Sequence, residues 1–260
     1  MSEYAAPLRD IRFILDHVTP LEDLFKLDAY SQIDSDSVYG VLEEFGRLMS
    51  DVWAPTNAVG DHEGSRVEGD EVITATGFKE AYAAYAEAGW GAVPFEEAYG
   101  GGGFPWLVGI VMQEMLNSAN MALAMAPLLT QGAIDAILHH GSEEQKEKYL
   151  LKMVSAEWTG SMNLTEPDAG SDVGALRTKA VKQDDGSYKI SGQKIFITFG
   201  EHSFTDNIVH LVLARTPDAP PGTKGISLFI VPKFLVNDDG SLGERNDVHI
   251  VSVEHKMGIR

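Results

Sequence analysis

The chain has 260 residues, of which 20 are lysine or arginine and 39 are aspartate or glutamate, giving a formal charge of −19. Binding to a nucleic-acid backbone or to an anionic membrane requires a cationic surface, which a protein this acidic lacks. We therefore expect neither a nucleic acid nor a membrane as a partner. The absence of cysteine excludes disulfides, a cysteine nucleophile and iron–sulfur ligation. Hydrophobic residues make up 44% of the sequence, enough for a buried core.

The first part of the chain is patterned as helices. Apolar residues over 38–48 follow the i, i+3, i+4, i+7 spacing of one buried helix face, with Ser35 or Ser37 as the candidate N-cap. A second helix is predicted over residues 78–88, with Gly89 as the residue that ends it. The first ten residues carry charges and no apolar run, so we predict no secretory signal and a cytoplasmic location.

The most apolar stretch of the sequence is residues 106–127. Its interruption by several polar side chains favours a pair of buried helices over a membrane span. A further helical segment over residues 134–140 ends at a glycine, and Ser142 with Gln145 has the spacing of a capping box for the next helix. The glycine-rich segment 100–105 lacks the phosphate-binding signatures and is predicted to be a loop.

Beyond residue 157 the patterns change from helices to short strands. Strands are predicted over residues 158–164, 175–182, 188–190, 194–198, 208–214 and 226–231. Residues 184–186 read Asp-Asp-Gly and predict a hairpin turn, and the unbroken apolar run 208–214 predicts a strand buried on both faces. Short strands with frequent turns are typical of a sandwich or barrel.

These patterns predict an α+β, multidomain chain. We expect a helical extension over residues 1–35, an all-α domain over 36–157 and a β-barrel or β-sandwich domain over 158–260. No metal site is predicted, because His139 with His140 has no third ligand nearby in the sequence and the acidic turn 237–240 lacks the EF-hand spacing.

One segment points to a binding site. Residues 162–172 run from a predicted strand end into a Pro/Gly turn that carries the hydroxyls of Thr165 and Ser171 and many backbone N–H groups. Such a turn can hold a polar ring edge or a diphosphate through neutral donors. On the predicted strand 194–198, Phe196 and Thr198 share a face and offer a flat cofactor such as a flavin both stacking area and a hydrogen bond. The alternative is an ordinary turn and a core phenylalanine.

The same residues carry a family resemblance. The sequence closely resembles the middle domain of the acyl-CoA dehydrogenases in four short motifs: LTEP at residues 164–167, GSD at 170–172, GQK at 192–194 and IT at 197–198. The match extends to residues 141–146, 149–150, 225–231 and 255–258. The resemblance covers about residues 40–260. The N-terminal segment 6–10, with Phe13, resembles the long-form branch that includes 3-methylmercaptopropionyl-CoA dehydrogenase-like enzymes.

The resemblance implies that the all-α domain precedes the β domain, that a second helical domain follows, and that FAD lies between the last two. The residues implied for cofactor binding are Met162, Leu164, Thr165, Gly170, Ser171, Phe196, Ile197 and Thr198. By position, Leu164 and Thr165 would contact the isoalloxazine, Thr198 would bond near its N5, and Phe196 would cover the ring in place of a tryptophan common in the family. Ser171 would reach the cofactor phosphates or the acyl-CoA substrate.

Met162 stands where many members of the family have Tyr or Phe, which is a departure from the family pattern. Glu166 and Pro167 are expected to form the turn rather than to act in catalysis. The family reaction oxidises an acyl-CoA thioester to the 2,3-enoyl-CoA by α-proton abstraction and β-hydride transfer to FAD. Its base is a glutamate in the C-terminal helical domain, which we expect beyond Arg260.

The resemblance therefore implies a β domain incomplete at its C-terminus, no catalytic residue among the 260 and an enzyme inactive in this form alone. It also implies an electron-transferring flavoprotein as the electron acceptor and a homo-oligomer. Two alternatives stay open at this point. One is an acyl-CoA oxidase, in which oxygen reoxidises the flavin. The other is a non-catalytic module that binds acyl-CoA or protein, which would apply if the gene ends at Arg260.

Overall fold

The computed structural model describes residues 4–256, 258 and 259. Residues 1–3 of the predicted extension, Met257 of the 255–258 segment and Arg260 lie outside the described residues. The helices are α1 Leu8–His17, α2 Leu21–Leu24, α3 Ser35–Leu48, α4 Pro55–Glu63, α5 Phe78–Glu87, α6 Trp106–His140 and α7 Glu143–Val154. The strands are β1 Arg66–Glu68, β2 Glu71–Ile73, β3 Trp158–Asn163, β4 Lys179–Lys182, β5 Tyr188–Ser191, β6 Asn207–Ala214, β7 Ser227–Pro232, β8 Phe234–Val236 and β9 Leu242–Arg245.

The predicted helices are present, and one cap differs from the prediction. Asp34 caps α3, and its carboxylate accepts the backbone N–H of Ser37 at 2.7 Å, so neither predicted serine is the N-cap. A charged carboxylate is a stronger acceptor at the positive end of a helix than a hydroxyl, which explains the shift by one residue. Gly89 lies directly after the cap of α5 with a φ of +73°, as predicted. The capping box of Ser142 and Gln145 is confirmed.

The long helix α6 is a pair of helices joined at a kink. Asn120 has extended backbone angles (φ −158°, ψ 96°) between the two halves. Its side-chain oxygen accepts the backbone N–H of Leu123 at 3.1 Å, so Asn120 caps the second half. This confirms the predicted buried helix pair. By length and composition α6 could cross a membrane, but its buried residues, among them Leu116 and Ile134, belong to the two hydrophobic cores described next.

The first core lies among the helices. It is built around the aromatic side chains of Phe45, Trp53 and Tyr85, with ring centroids 6.4 Å apart for Phe45 and Tyr85 and 5.7 Å apart for Trp53 and Tyr85. Residues 49–53 form one π-helical turn between α3 and α4, which brings Trp53 into this core. Edge-to-face and tilted rings of this kind add to the free energy gained from burying their area.

The second core joins α6 and α7 to a three-stranded sheet in the order β3-β6-β7. β6 runs parallel to β3 and antiparallel to β7, and it is buried along nearly its whole length, as the apolar run predicts. A Cβ on Gly160 of β3 would lie 2.5 Å from the Cβ of Ala133. Glycine at this position therefore allows α6 to pack directly on the sheet.

The remaining strands form antiparallel pairs. These are β4–β5, β8–β9 and, within the helical part, the short hairpin β1–β2. The hairpin predicted at Asp184-Asp185-Gly186 is confirmed, since Gly186 adopts a φ of +86° and Lys182 pairs with Tyr188. The sheet-containing domain predicted after the helices is present, but its described strands do not close into a barrel. In the described residues, β3 and β7 are open edges of their sheet and neither pairs with the two hairpins, so no closed ring of strands forms.

Candidate functional site

The candidate site begins where β3 ends. After Asn163 the chain folds into a tight turn in which the backbones of Glu166 and Ala169 exchange two hydrogen bonds, at 3.0 and 3.1 Å. Pro167 fixes φ within this turn. A Cβ on Gly170 would lie 3.6 Å from the methyl carbon of Thr165, so the two ends of the turn are in contact range.

The Glu166 carboxylate holds this turn to two other segments. It accepts the backbone N–H groups of Arg177 at 2.6 Å and Thr178 at 3.1 Å, the Thr178 hydroxyl at 2.5 Å and the Lys194 ammonium at 2.8 Å. The side chains of Glu166 and Lys194 are 7% and 9% exposed. Burial raises the pKa of Glu166, but the hydrogen bonds from Lys194, Thr178 and Arg177 outweigh it and lower the pKa to about 2.

Two further bonds join the turn to residues 194–198. Lys194 Nζ donates to the carbonyl of Leu164 at 3.1 Å, and the Ile195 N–H donates to the carbonyl of Thr165 at 2.9 Å. The two segments that the sequence identified as a flavin site are therefore neighbours in space. Thr198 follows three residues after the point of contact.

The strand predicted over 194–198 is wrong. Residues 192–206 form no strand, and Phe196 and Phe199 adopt φ values of +55° and +48°. Left-handed backbone of this kind is sterically unfavourable for a phenylalanine and incompatible with a pleated strand, so the argument that Phe196 and Thr198 share a strand face fails. Phe196 is 49% exposed, and the Lys256 ammonium lies 5.2 Å from its ring centroid.

Three side-chain hydroxyls lie in the two segments of the candidate site. Among the described residues, none donates to or accepts from the side-chain hydroxyls of Thr165, Ser171 or Thr198. Thr165 and Thr198 are half-buried, and Ser171 is exposed. Such neutral, unengaged donors have the chemistry that a flavin ring edge or a phosphate oxygen requires, so the residues present fit that cofactor.

The remaining candidate residues, from Met162 to Ile197, differ in burial and in the elements that carry them. Met162 lies on β3, half-buried, and packs against the second core, on the side of the sheet that faces the helices. Ile197 is half-buried beneath Gly200, where an added Cβ would lie 2.8 Å from the Ile197 side chain. Leu164 is half-buried and Gly170 exposed at the two ends of the turn. Of the eight candidates, the structure brings Thr165 and Gly170 into contact range, with Leu164 next to Thr165 in the chain.

Sequence reasoning missed a buried polar cluster on the other face of β3. Thr159 Oγ1 lies 2.9 Å from His202 Nε2, and Ser161 Oγ lies 2.7 Å from His210 Nδ1. His202 Nδ1 accepts the backbone N–H of Phe204 at 3.2 Å, so Nε2 carries the proton and donates to Thr159. Burial, with the nearby Lys233 charge, lowers the pKa of His202 to about 3.

His210 behaves in the same way, because burial and then the Lys233 charge lower its pKa to about 4. Both imidazoles are therefore neutral at neutral pH. The signal in the sequence was the alternation of polar residues along an otherwise buried strand, at Thr159, Ser161 and Asn163. On a strand this period of two places all three side chains on one face.

The glycine-rich segment 100–105 packs against the residues before it. Gly101, Gly102 and Gly103 donate their N–H groups to the carbonyls of Glu96, Ala92 and Phe95 at 2.8–3.0 Å. A Cβ on Gly101 would lie 2.0 Å from a backbone oxygen, which explains the need for glycine. With these N–H groups engaged, the segment does not form a phosphate cradle.

This arrangement, a helical unit that leads into a sheet, aligns with the solved structures of acyl-CoA dehydrogenases. The butyryl-CoA dehydrogenase of Megasphaera elsdenii aligns with a TM-score of 0.63 and 30% identity over 76% of this chain and 49% of that one. A glutaryl-coenzyme A dehydrogenase in complex with glutaryl-CoA aligns with a TM-score of 0.64 and 27% identity, over 77% of this chain and 47% of that one.

The chain belongs to the acyl-CoA dehydrogenase family. The family's N-terminal domain matches residues 42–157 and its middle domain matches residues 161–260. The 3-methylmercaptopropionyl-CoA dehydrogenase of Ruegeria pomeroyi is 49% identical over 257 residues, which are 99% of this chain and 44% of that protein. A butyryl-CoA dehydrogenase of Syntrophomonas wolfei is 44% identical over 98% of this chain and 43% of its own length. The chain thus spans less than half the length of these relatives.

Proposed function

We propose that the whole protein is an FAD-dependent acyl-CoA dehydrogenase that oxidises an acyl-CoA thioester to the 2,3-enoyl-CoA. One observation carries the proposal. The turn 164–172 is fixed against residues 194–198 by the Ile195–Thr165 backbone bond and the Glu166–Lys194 ion pair, while the hydroxyls of Thr165, Ser171 and Thr198 bond to no described residue. Family membership supports the same conclusion, since the family reaction is this oxidation.

The proposed roles follow from these positions. Thr165 and Thr198 would hydrogen-bond the edge of the isoalloxazine, Thr198 near N5, and the exposed ring of Phe196 would cover it. Ser171 would reach the phosphates of the cofactor or of the substrate. FAD, when bound, supplies the acceptor for the hydride that leaves the β carbon. Neutral hydroxyl donors orient the ring without placing a fixed charge beside it.

The other cofactor contacts, Met162, Leu164, Gly170 and Ile197, would contribute packing and backbone groups. We assign no base among the 260 residues, and the family pattern places that carboxylate in a further helical domain. An electron-transferring flavoprotein as electron acceptor, a homo-oligomer and a cytoplasmic location belong to the same proposal. The names of the relatives favour short or thioether-bearing acyl groups as substrates.

The test is anaerobic reduction of the FAD-loaded whole protein by butyryl-CoA and by 3-methylmercaptopropionyl-CoA, followed as loss of flavin absorbance. We expect rapid reduction with at least one of the two and slow reoxidation by air. Thr198→Val should slow reduction by roughly tenfold to a hundredfold, because a buried hydrogen bond of about 1–3 kcal/mol is lost. The exposed Thr19→Val is the matched control. Fast reoxidation by air would indicate an oxidase, and no reduction by any acyl-CoA would contradict the proposal.

A further inference from the structure

The hairpin β4–β5 presents a positively charged face on a strongly acidic protein. Its register pairs Lys179 with Ser191 and Val181 with Lys189, so these four side chains point to the same side. All four are exposed. The opposite side packs inward, where Ala180 is fully buried. We refer to Lys179, Val181, Lys189 and Ser191 as the basic face.

The two lysines of this face lack salt-bridge partners among the described residues. Lys179 and Lys189 form no ion pair with any described residue, and neither does Lys182 beside them. By contrast, Arg47 and Lys152 in the helical part each pair with carboxylates. Cations without partners create a local positive potential, which is notable in a chain with a formal charge of −19.

The hairpin is held in a fixed position beside the candidate site. Its first strand is preceded by Arg177 and Thr178, whose backbone N–H groups bind the Glu166 carboxylate. Its second strand is followed by Gly192, where an added Cβ would lie 2.2 Å from the Thr178 hydroxyl oxygen. Both ends of the hairpin are thereby fixed close to the turn that begins at Leu164.

We propose that the basic face binds the phosphates of the CoA nucleotide while the thioester end enters the site beside Thr165. This inference rests on the proposed function. Coenzyme A is a polyanion, with a diphosphate and a 3′-phosphate, and the acidic helical part of the chain repels it. Two lysines within one hairpin attract the phosphates without contacting the reacting atoms, and their effect falls as salt rises.

The experiment measures CoA binding to the FAD-loaded whole protein by titration calorimetry at low ionic strength. The double variant Lys179→Gln/Lys189→Gln should bind CoA about tenfold more weakly, with the difference lost at high salt. Lys179→Arg/Lys189→Arg should bind as the unmodified protein does. The control Lys79→Gln/Lys148→Gln removes two other lysines that form no ion pair with any described residue, and it should change the affinity less than about twofold. Pantetheine, which lacks the phosphates, should bind all variants alike.

Four outcomes would overturn the inference. Equal losses in the basic-face and control variants would show that overall charge, and not this face, determines CoA affinity. Weakened FAD binding with unchanged CoA binding would assign the face to the flavin nucleotide instead. If acyl-CoA reduces the flavin of the unmodified protein but every variant binds CoA with equal affinity, the proposed role of the basic face is refuted and the proposed function stands. Failure of the unmodified protein to bind CoA at all would refute both.

Discussion

At the scale of single residues, the Glu166 carboxylate links the parts of the site through four hydrogen bonds that it accepts. It joins the turn after β3 to the start of β4 and, through Lys194, to the segment that carries Phe196 and Thr198. A buried ion pair with every acceptor satisfied fixes geometry even where its net contribution to stability is small. The removal of one partner, however, leaves the other charge buried without compensation.

Glu166→Gln should therefore destabilise the protein in a pH-dependent way. The pKa of Glu166 falls from an ordinary value of 4.5 to about 2 on folding, so its contribution is fully present above pH 4.5 and is lost as pH falls towards 2. The shift corresponds to about 3 kcal/mol at neutral pH. Urea unfolding of both proteins should show a gap of this order at pH 7 that narrows below pH 4.5.

The exposed Glu244→Gln is the control for that comparison, and its stability should follow that of the unmodified protein at every pH. A gap between Glu166→Gln and the unmodified protein that stays constant from pH 7 to pH 3 would contradict the assigned role. The sequence predicted Glu166 as a turn former, which is how it acts. It did not predict Lys194 as the partner, because nothing local in a sequence pairs residues 28 positions apart.

At the scale of elements, the sequence correctly predicted the features that depend on residues close together in the chain. The hairpin turn at Asp184-Asp185-Gly186, the capping box at Ser142 and the break in the apolar stretch all depend on residues within a few positions of one another. The strand predicted over 194–198 failed because tertiary contacts override the β propensity of its residues. The bonds of Lys194 and Ile195 to the turn hold that segment where Phe196 adopts left-handed backbone.

The kink in α6 allows a test of how much Asn120 contributes to stability. Asn120 caps the second half and also donates to the buried Thr56 hydroxyl at 2.8 Å, which in turn donates to the carbonyl of Trp53. Asn120→Ala removes the cap and a buried partner together, so we expect a loss of about 2–3 kcal/mol in the free energy of unfolding. Chemical denaturation measures this loss.

The matched control is Asn117→Ala, one turn earlier on the same helix. Asn117 donates to the carbonyl of Gln113 within its own helix, and alanine is the better helix former, so its substitution should cost well under 1 kcal/mol. Equal losses for the two variants would mean that Asn120 contributes no more than an ordinary helix position. The kink would then be a consequence of packing alone.

At the scale of the molecule, the charge is distributed unevenly. Residues 1–157 contain 26 acidic and 9 basic residues, a formal charge of −17, whereas residues 158–260 contain 13 and 11, a charge of −2. The helical part therefore contributes nearly all of the repulsion that opposes the compact state. The part that contains the candidate site is close to neutral, which suits the binding of phosphate-bearing molecules.

This distribution predicts that salt stabilises the protein. Salt weakens the exposed ion pairs, such as Lys26–Asp23, but among the described residues of the helical part unpaired carboxylates outnumber such pairs, so screening of repulsion should dominate. We expect Tm to rise with NaCl up to about 0.3 M, by a stabilisation on the order of 1 kcal/mol. Glu80→Gln/Glu87→Gln should raise Tm at low salt and reduce its salt dependence. A Tm that falls with salt in the unmodified protein would show that the ion pairs outweigh the repulsion.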